Sequence, residues 1–169
     1  MENTNQKKLI YQYGLLSGAV AVAFEIMRFS MGIHYVNDGI STLVWMLILF
    51  GGVLAGSLAI KNNNSGLISL NQTLKSGVGI ALIYTLVILI WTAIMVNVLE
   101  PTFWDTAYEV AYEVTKEKDP EAMGNVSFED FKPFVTWLEW GVYPIIIASR
   151  LFFGFIFSLV VGIVIKKSE

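Results

Sequence analysis

The chain has 169 residues, of which 55% are hydrophobic and only 15% are charged, with a formal net charge of −3. A soluble domain usually has about a quarter charged residues, so these charges are too few to coat a water-exposed surface. The negative balance argues against nucleic-acid binding, the lack of cysteine excludes disulfide and thiolate chemistry, and one histidine, His34, is too few for a histidine-based metal site. We therefore expect one membrane domain, residues 1–169, with no cofactor and no metal.

The first long apolar run covers residues 9–29 and has Glu25 and Arg28 near its end. Two lysines before the run, and the small residues AVA within it, also resemble a secretory signal peptide. The run continues well beyond those small residues, so we expect an uncleaved membrane span instead.

Two further runs, residues 41–60 and 76–99, have no charged residue at all. Each reaches the roughly 20 apolar residues that a membrane helix needs, and helices satisfy their own backbone hydrogen bonds in lipid. A soluble bundle of helices would show a polar stripe on each one, and these two runs show none. The sequence therefore favours membrane helices.

The segment between these two runs is polar. Residues 61–65, KNNNS, predict a turn because they disfavour helix. Ser69 followed three residues later by Gln72 fits a capping box, so the third helix is expected to start before its apolar part.

A long loop, residues 100–140, separates the third run from the fourth. Its segment 103–118 has helical periodicity, with an acidic stripe on one side and a mostly apolar opposite side, which predicts an amphipathic helix lying on the membrane or on the bundle. Carboxylates suit hard cations, but such a stripe is more often a solvated face. The acidic residues are Asp105, Glu109, Glu113 and Glu117, and the opposite side has Trp104, Ala107, Tyr108, Ala111 and Val114.

The fourth apolar run is residues 141–165, interrupted by the cation Arg150. Before it, Ser127 and Asp130 predict the cap of a short helix, and Pro133 and Pro144 predict kinks or a restart. The fold class predicted from these runs is all-α, an integral membrane four-helix bundle with an extracytoplasmic amphipathic helical loop between spans three and four.

Basic residues predict the orientation, because lysine and arginine near span ends mark the cytoplasmic side. Four spans place both termini on one side, where the span ends are rich in lysine, whereas the 100–140 loop is mainly acidic. Both termini are therefore expected in the cytoplasm and the loop outside, with an aromatic belt of Trp137, Trp140 and Tyr143 at the outer interface. The cytoplasmic lysines are Lys7, Lys8, Lys61, Lys75, Lys166 and Lys167.

The charged residues within the spans predict a polar layer. At about 1.5 Å per residue, Arg150 lies about 22 Å from the inner end of span four and Glu25 about 24 Å from that of span one. Thr92 falls at a similar depth on span three, and Arg28 lies about 4.5 Å further out, within reach of headgroups. Because a charge in hydrocarbon needs a partner, we expect Glu25 and Arg150 to pair, either to lock helix register or to line a pocket.

Small residues within the spans predict close helix packing, which water cannot drive within lipid. They recur at four-residue spacing in three spans and favour a compact bundle, although any one set is also suited to a partner protein. The positions are Gly14 and Gly18, Gly52 and Gly56, and Gly154, Ser158 and Gly162.

Two stretches resemble a known family. The approach to span three, GLISLNQTLKSG (66–77), and the opening of the outer loop, EPTFW (100–104), are similar to those of domain-of-unknown-function family 4199, DUF4199. In that family an acidic residue and a proline follow span three, which Glu100 and Pro101 match. The resemblance implies a small inner-membrane protein of Bacteroidetes-type bacteria, and it implies no catalytic residues.

The sequence alone leaves the function open between two classes. The first is a non-enzymatic accessory or scaffold subunit of an envelope complex, with a protein partner in the membrane or at the acidic loop. The second is a small transporter or lipid-handling protein, possible as a homo-oligomer, that uses the Glu25/Arg150 layer. We expect no enzyme, because no nucleophile, base and metal set is apparent. Besides the lipid bilayer, no nucleic acid is expected as a partner.

Overall fold

A computed structural model describes residues 2–35 and 38–167, and every regular element within these ranges is helical. Short loops connect the first long helix to the second and the second to the third, and three shorter helices connect the third to the fourth. The long helices are α1 (Glu2–Ser30), α2 (Gly39–Asn63), α3 (Leu70–Ile94) and α7 (Leu138–Ile165). The others are α4 (Phe103–Lys118), α5 (Pro120–Met123) and α6 (Phe128–Val135), and a π-helical turn (Met95–Leu99) extends α3.

The four long helices have the length and composition of membrane spans. They contain apolar segments of 25 to 30 residues, and at most a third of the most apolar window of each is buried inside the bundle. Most of their apolar surface therefore faces outward, which is the arrangement that lipid stabilises and water does not. The predicted all-α, four-span fold is confirmed.

The helices begin and end at different residues from those expected. Ser69 and Gln72 form the predicted capping box, so α3 begins at Leu70, before its apolar run starts at residue 76. The expected turn at residues 61–65 lies later, because α2 continues to Asn63 and the backbone turns through Ser65 and Gly66 at positive φ. Both helices with an internal proline continue through it, so neither Pro133 nor Pro144 restarts a helix.

Helix α3 is the centre of the bundle. It shares the largest interfaces with α1 and with α7, and α2 packs against all three of the others. Within the described residues α1 and α7 share no comparable interface. The helices α2 and α3 therefore separate α1 from α7, an arrangement that decides which charged side chains are able to meet.

The glycines and serine expected at interfaces lie where helices approach closely. A Cβ at Gly154 would meet Ala81, one at Gly77 would meet Ser158, and both contacts join α3 to α7. Gly14 and Gly18 face Ile83 and Val87 of α3, Gly52 and Gly56 face Ser17 and Tyr13 of α1, and Gly162 faces Thr73. Missing side chains at these positions allow the backbone approach that dispersion forces need in lipid.

The two ends of the bundle are closed differently. At the end that holds residue 2 and residue 167, the terminal end, Ile68 and Lys167 exchange two backbone hydrogen bonds of 3.0 Å. There the ammonium of Lys61 donates to the carbonyl of Ile165 at 2.8 Å, satisfying one of the free carbonyls at the end of α7. The opposite end, the loop end, is covered by the 31–35 segment and by α4 to α6.

The amphipathic helix expected at residues 103–118 is confirmed as α4. Its four acidic stripe residues are exposed, whereas Tyr108 on the opposite side is buried. It packs against α5 and α6, and we call these three helices the cap. The Tyr108 hydroxyl donates to Glu139 at 2.6 Å, which attaches the cap to the start of α7. Ser127 caps α6 through the backbone N–H of Asp130, as expected.

A matched pair of glycine substitutions tests the central packing. Gly154→Ala places a methyl group against Ala81, and overpacking of this kind costs about 1–3 kcal/mol of unfolding free energy. Gly51→Ala meets nothing within 4 Å, so the loss of glycine flexibility leaves stability equal or up to about 1 kcal/mol higher. Unfolding in mixed detergent micelles, followed by circular dichroism, measures both, and equal effects would contradict the close α3–α7 contact.

Candidate functional site

Each of the four spans contributes a polar side chain to one cluster near the loop end. Helix α1 provides Glu25 and Arg28, α2 provides Trp45, α3 provides Tyr84 and α7 provides Arg150. We call these five residues the polar cluster. Its position inside an apolar bundle means that the protein itself must replace water around the charges.

Glu25 is the acceptor at the centre of the polar cluster. Its Oε2 atom lies 3.3 Å from Nη1 of Arg28, one turn along the same helix, and its side chain is only 16% exposed. Its Oε1 atom accepts a hydrogen bond from the indole N–H of Trp45. A carboxylate with a charged and a neutral donor is largely compensated, as a buried charge must be.

Arg28 is more buried within the protein than its sequence position indicated. We expected it to extend toward headgroups, but it is 2% exposed. Its guanidinium pairs with Glu25, lies 5.0 Å from the ring centroid of Trp45, and donates from Nη2 to the carbonyl of Ile33 at 3.2 Å. The i,i+3 spacing on one helix makes this pairing local, so Arg28 fastens the 31–35 segment onto the polar cluster.

The direct Glu25–Arg150 pair that we expected is not formed. Glu25 pairs with Arg28 instead, and the guanidinium of Arg150 lies 5.2 Å from the ring centroid of Trp45. The cause is the helix arrangement, since α2 and α3 separate α1 from α7 and Trp45 of α2 contacts charged groups from both sides. Among residues 2–35 and 38–167 Arg150 has no carboxylate within 4 Å, and its buried Nε atom has no hydrogen-bond partner.

Tyr84, rather than Thr92, is the contribution of α3. Tyr84 is fully buried, its hydroxyl has no hydrogen-bond partner among the described residues, and it lies within electrostatic range of Arg150 and Glu25. Thr92 donates to the Ile88 carbonyl of its own helix at 3.0 Å. Because α3 begins at Leu70, Tyr84 is 14 residues, or about 21 Å, into the helix.

The polar cluster has an excess of positive charge. It holds two guanidinium groups and one carboxylate, and Arg28 also has Asp38 of the adjoining loop in electrostatic range. Hydrogen bonding from the Ser41 N–H, at 2.6 Å, is the main reason that the pKa of Asp38 is lowered, with a smaller contribution from Arg28. Glu25 is in contact with Arg28, so among the described residues Arg150 is the guanidinium of the cluster that has no carboxylate within 4 Å.

A second group of side chains holds the 31–35 segment down from the other side. The Nε2 atom of His34 lies 2.7 Å from Oε2 of Glu100, and the Tyr35 hydroxyl donates to Oε1. The ring of Phe103, at the start of α4, stacks on both His34 and Tyr35. We call these four residues the loop clamp. The clamp and Arg28 together hold the 31–35 segment over the polar cluster.

Glu100 of the loop clamp is also the acidic residue that follows span three in the sequence. The structure shows that it binds the loop between α1 and α2. The π-helical turn before it ends with the N–H of Glu100 donating to the Met95 carbonyl at 2.9 Å. Such turns are frequent at functional positions, and this one brings Glu100 to His34 and Tyr35.

The cap also perturbs one tyrosine. Burial raises the pKa of Tyr108 well above its ordinary value, and the hydrogen bond to Glu139 and that residue's charge act in the same direction. Asp105 of the acidic stripe pairs with Lys132 at 3.2 Å, and the Asp105 side chain is largely exposed whereas that of Lys132 is partly exposed. Exposed pairs of this kind contribute little stability, so this one mainly orients α6 against α4.

Trp45→Phe tests the role of the indole N–H in the polar cluster. The substitution keeps an aromatic ring for both guanidinium groups but removes a hydrogen bond to a charged acceptor, which contributes about 1.5–3 kcal/mol. We expect a loss of that order in unfolding free energy in detergent. Trp137→Phe is the control, because Trp137 is exposed and its loss leaves stability unchanged. Equal stability of the two variants would show that the hydrogen bond to Glu25 is unimportant.

No curated protein and no solved structure matches the chain. One family model matches residues 12–167, which include the apolar parts of all four spans, the polar cluster and the loop clamp. The chain therefore belongs to the family described as protein of unknown function, DUF4199.

Proposed function

We propose that the polar cluster binds an anionic group, a phosphate or a carboxylate, at the loop end of the bundle, and that the protein is a non-enzymatic binding component of a bacterial inner membrane. The observation that carries this proposal is Arg150. It is a permanent cation within a membrane helix, and its charge lacks the direct partner that Glu25 gives Arg28.

The energetics favour an external anion. A charged residue within a membrane segment costs several kcal/mol unless it is paired, and such residues commonly mark ligand sites. A guanidinium offers a planar set of donors that matches phosphate and carboxylate oxygens. The buried hydroxyl of Tyr84 is a further donor without a partner near the same place, so an oxygen-rich anion would satisfy groups that the protein leaves unsatisfied.

An accessory role in an envelope complex is a second candidate, and the cap favours it. Phe134 of α6 and Trp140 at the start of α7 are 75% and 81% exposed, and the acidic stripe of α4 is exposed as well. Aromatic residues are common at protein interfaces. Native mass spectrometry of the gently solubilised protein separates the candidates, since bound lipid supports anion binding and a stoichiometric second protein supports the accessory role.

Arg150→Gln tests the anion site. We expect the variant, purified in mild detergent, to bind phosphatidylglycerol about 10- to 100-fold more weakly, because a charge-assisted hydrogen bond of about 1.5–3 kcal/mol is lost. Arg150→Lys keeps the charge without the planar donor set, so we expect its affinity for phosphatidylglycerol to lie between those of the unmodified protein and Arg150→Gln. Lys132→Gln, which removes a partly exposed cation of α6 outside the polar cluster, is the control for nonspecific charge effects. Unchanged affinity in a folded Arg150→Gln variant would overturn the proposal.

The orientation is part of the same proposal, and the lysine-rich terminal end supports it. We propose that both termini are cytoplasmic, so that the polar cluster lies in the outer half of the bilayer. Because the chain lacks cysteine, single-cysteine variants are free of background. We expect an impermeant maleimide added to intact cells to label Lys116→Cys and not Lys166→Cys, and the reverse labelling would contradict this orientation.

A further inference from the structure

A groove between α1 and α2 runs along the outside of the bundle from the level of the polar cluster toward the terminal end. It has a volume of about 210 Å³ and a lining that is almost wholly apolar. Leu16 and Leu47, both more than half exposed, form part of its sides, and Gly51 and Ala55 keep it open. A Cβ built on Gly51 meets nothing within 4 Å, so the groove has room for a chain beside that backbone.

The faces of α1 and α2 that line the groove lead along both helices toward the polar cluster. On α1 its outermost lining residue is Val20, and the same helix face continues at four-residue steps through Phe24 to Arg28. On α2 the face continues one turn from Ile48 to Trp45. The rings of Phe24 and Trp45 are 6.4 Å apart, so they form the boundary between the apolar groove and the charged groups.

The length of the groove matches one leaflet. From Leu47 to Ala55, the α2 residues that line the groove, is eight residues, or about 12 Å, which is most of one half of the roughly 30 Å hydrocarbon core. A ligand that filled both places would have a negative group at one end and a hydrocarbon chain of leaflet length at the other. That combination describes a membrane lipid and excludes a small soluble anion as the best fit.

We propose that the ligand of the polar cluster is an anionic membrane lipid, whose headgroup binds beside Arg150 and Trp45 and one of whose acyl chains lies in the α1–α2 groove. This inference rests on the proposed function, and it adds the class of ligand and a second contact surface. The polar cluster positions the headgroup, and the small residues Gly51 and Ala55 leave space for the acyl chain along α2.

The test uses the full chain in nanodiscs of phosphatidylcholine with a small fraction of phosphatidylglycerol that has a photoactivatable group in one acyl chain. After irradiation, peptides are quantified by mass spectrometry. We expect preferential labelling of residues 13–20 and 47–55 by the phosphatidylglycerol probe over a phosphatidylcholine probe with the same chain. Equal labelling by the two probes would overturn the inference.

Two alanine-to-leucine variants give the matched comparison. Ala55→Leu fills the groove at an exposed position, and we expect a five- to tenfold drop in groove labelling and in retained phosphatidylglycerol. Ala93→Leu makes the same change at an exposed position of α3 outside the groove and is expected to match the unmodified protein. Gly51→Leu is the second groove variant, with circular dichroism to establish that each variant is folded.

The outcomes separate this inference from the proposed function. Loss of phosphatidylglycerol in both Arg150→Gln and Ala55→Leu supports the two together. If Arg150→Gln loses phosphatidylglycerol binding while folded Ala55→Leu and Gly51→Leu bind fully, the acyl-chain site is wrong and the anion site is still supported. Soluble glycerol phosphate that displaces the lipid at equal concentration overturns the lipid assignment in the same way. Full binding in Arg150→Gln overturns the proposed function itself.

Discussion

The structure depends on one constraint, which is that charges placed among hydrocarbon chains must be solvated by the protein. Glu25 and Arg28 meet it locally, through an ion pair one turn apart and through the indole N–H of Trp45. Arg150 meets it incompletely, with an aromatic ring face on one side and a buried Nε atom that lacks a partner. A stable bundle with an incompletely solvated cation is the physical situation in which an external anion adds most, because binding removes a cost that the fold leaves in place.

Close packing around α3 makes that arrangement rigid. Glycines and serines at the α3–α7 and α1–α3 interfaces bring backbones together, and the buried core at the middle of the bundle is small and apolar. With α2 and α3 between them, α1 and α7 cannot exchange an ion pair, so their charged side chains meet on the ring of Trp45 instead. The helix order within the bundle, rather than the strength of attraction between Glu25 and Arg150, therefore determines the pairing.

The loop end connects the polar cluster to the cap. Arg28 holds the Ile33 carbonyl, and Glu100 holds His34 and Tyr35 of the same segment. Because Phe103 stacks on those rings, the position of α4 is linked through the clamp to the segment above the polar cluster. An anion site with such a cover is shielded from water at the loop end, while the α1–α2 groove remains open at the side, where lipid chains lie.

The sequence by itself determined the number of spans, the all-α class, the amphipathic α4 and the capping box at Ser69, because each follows from local periodicity and composition. It also indicated that Glu25 and Arg150 lie at similar depth, with Thr92 near the same level and Arg28 further out. Only the tertiary structure decided that Trp45 and Tyr84 complete the polar cluster and that Thr92 does not belong to it. Depth along a helix is a one-dimensional quantity that depends on where the helix begins, whereas contact between side chains depends on which helices are neighbours, and that is decided by packing of the whole bundle.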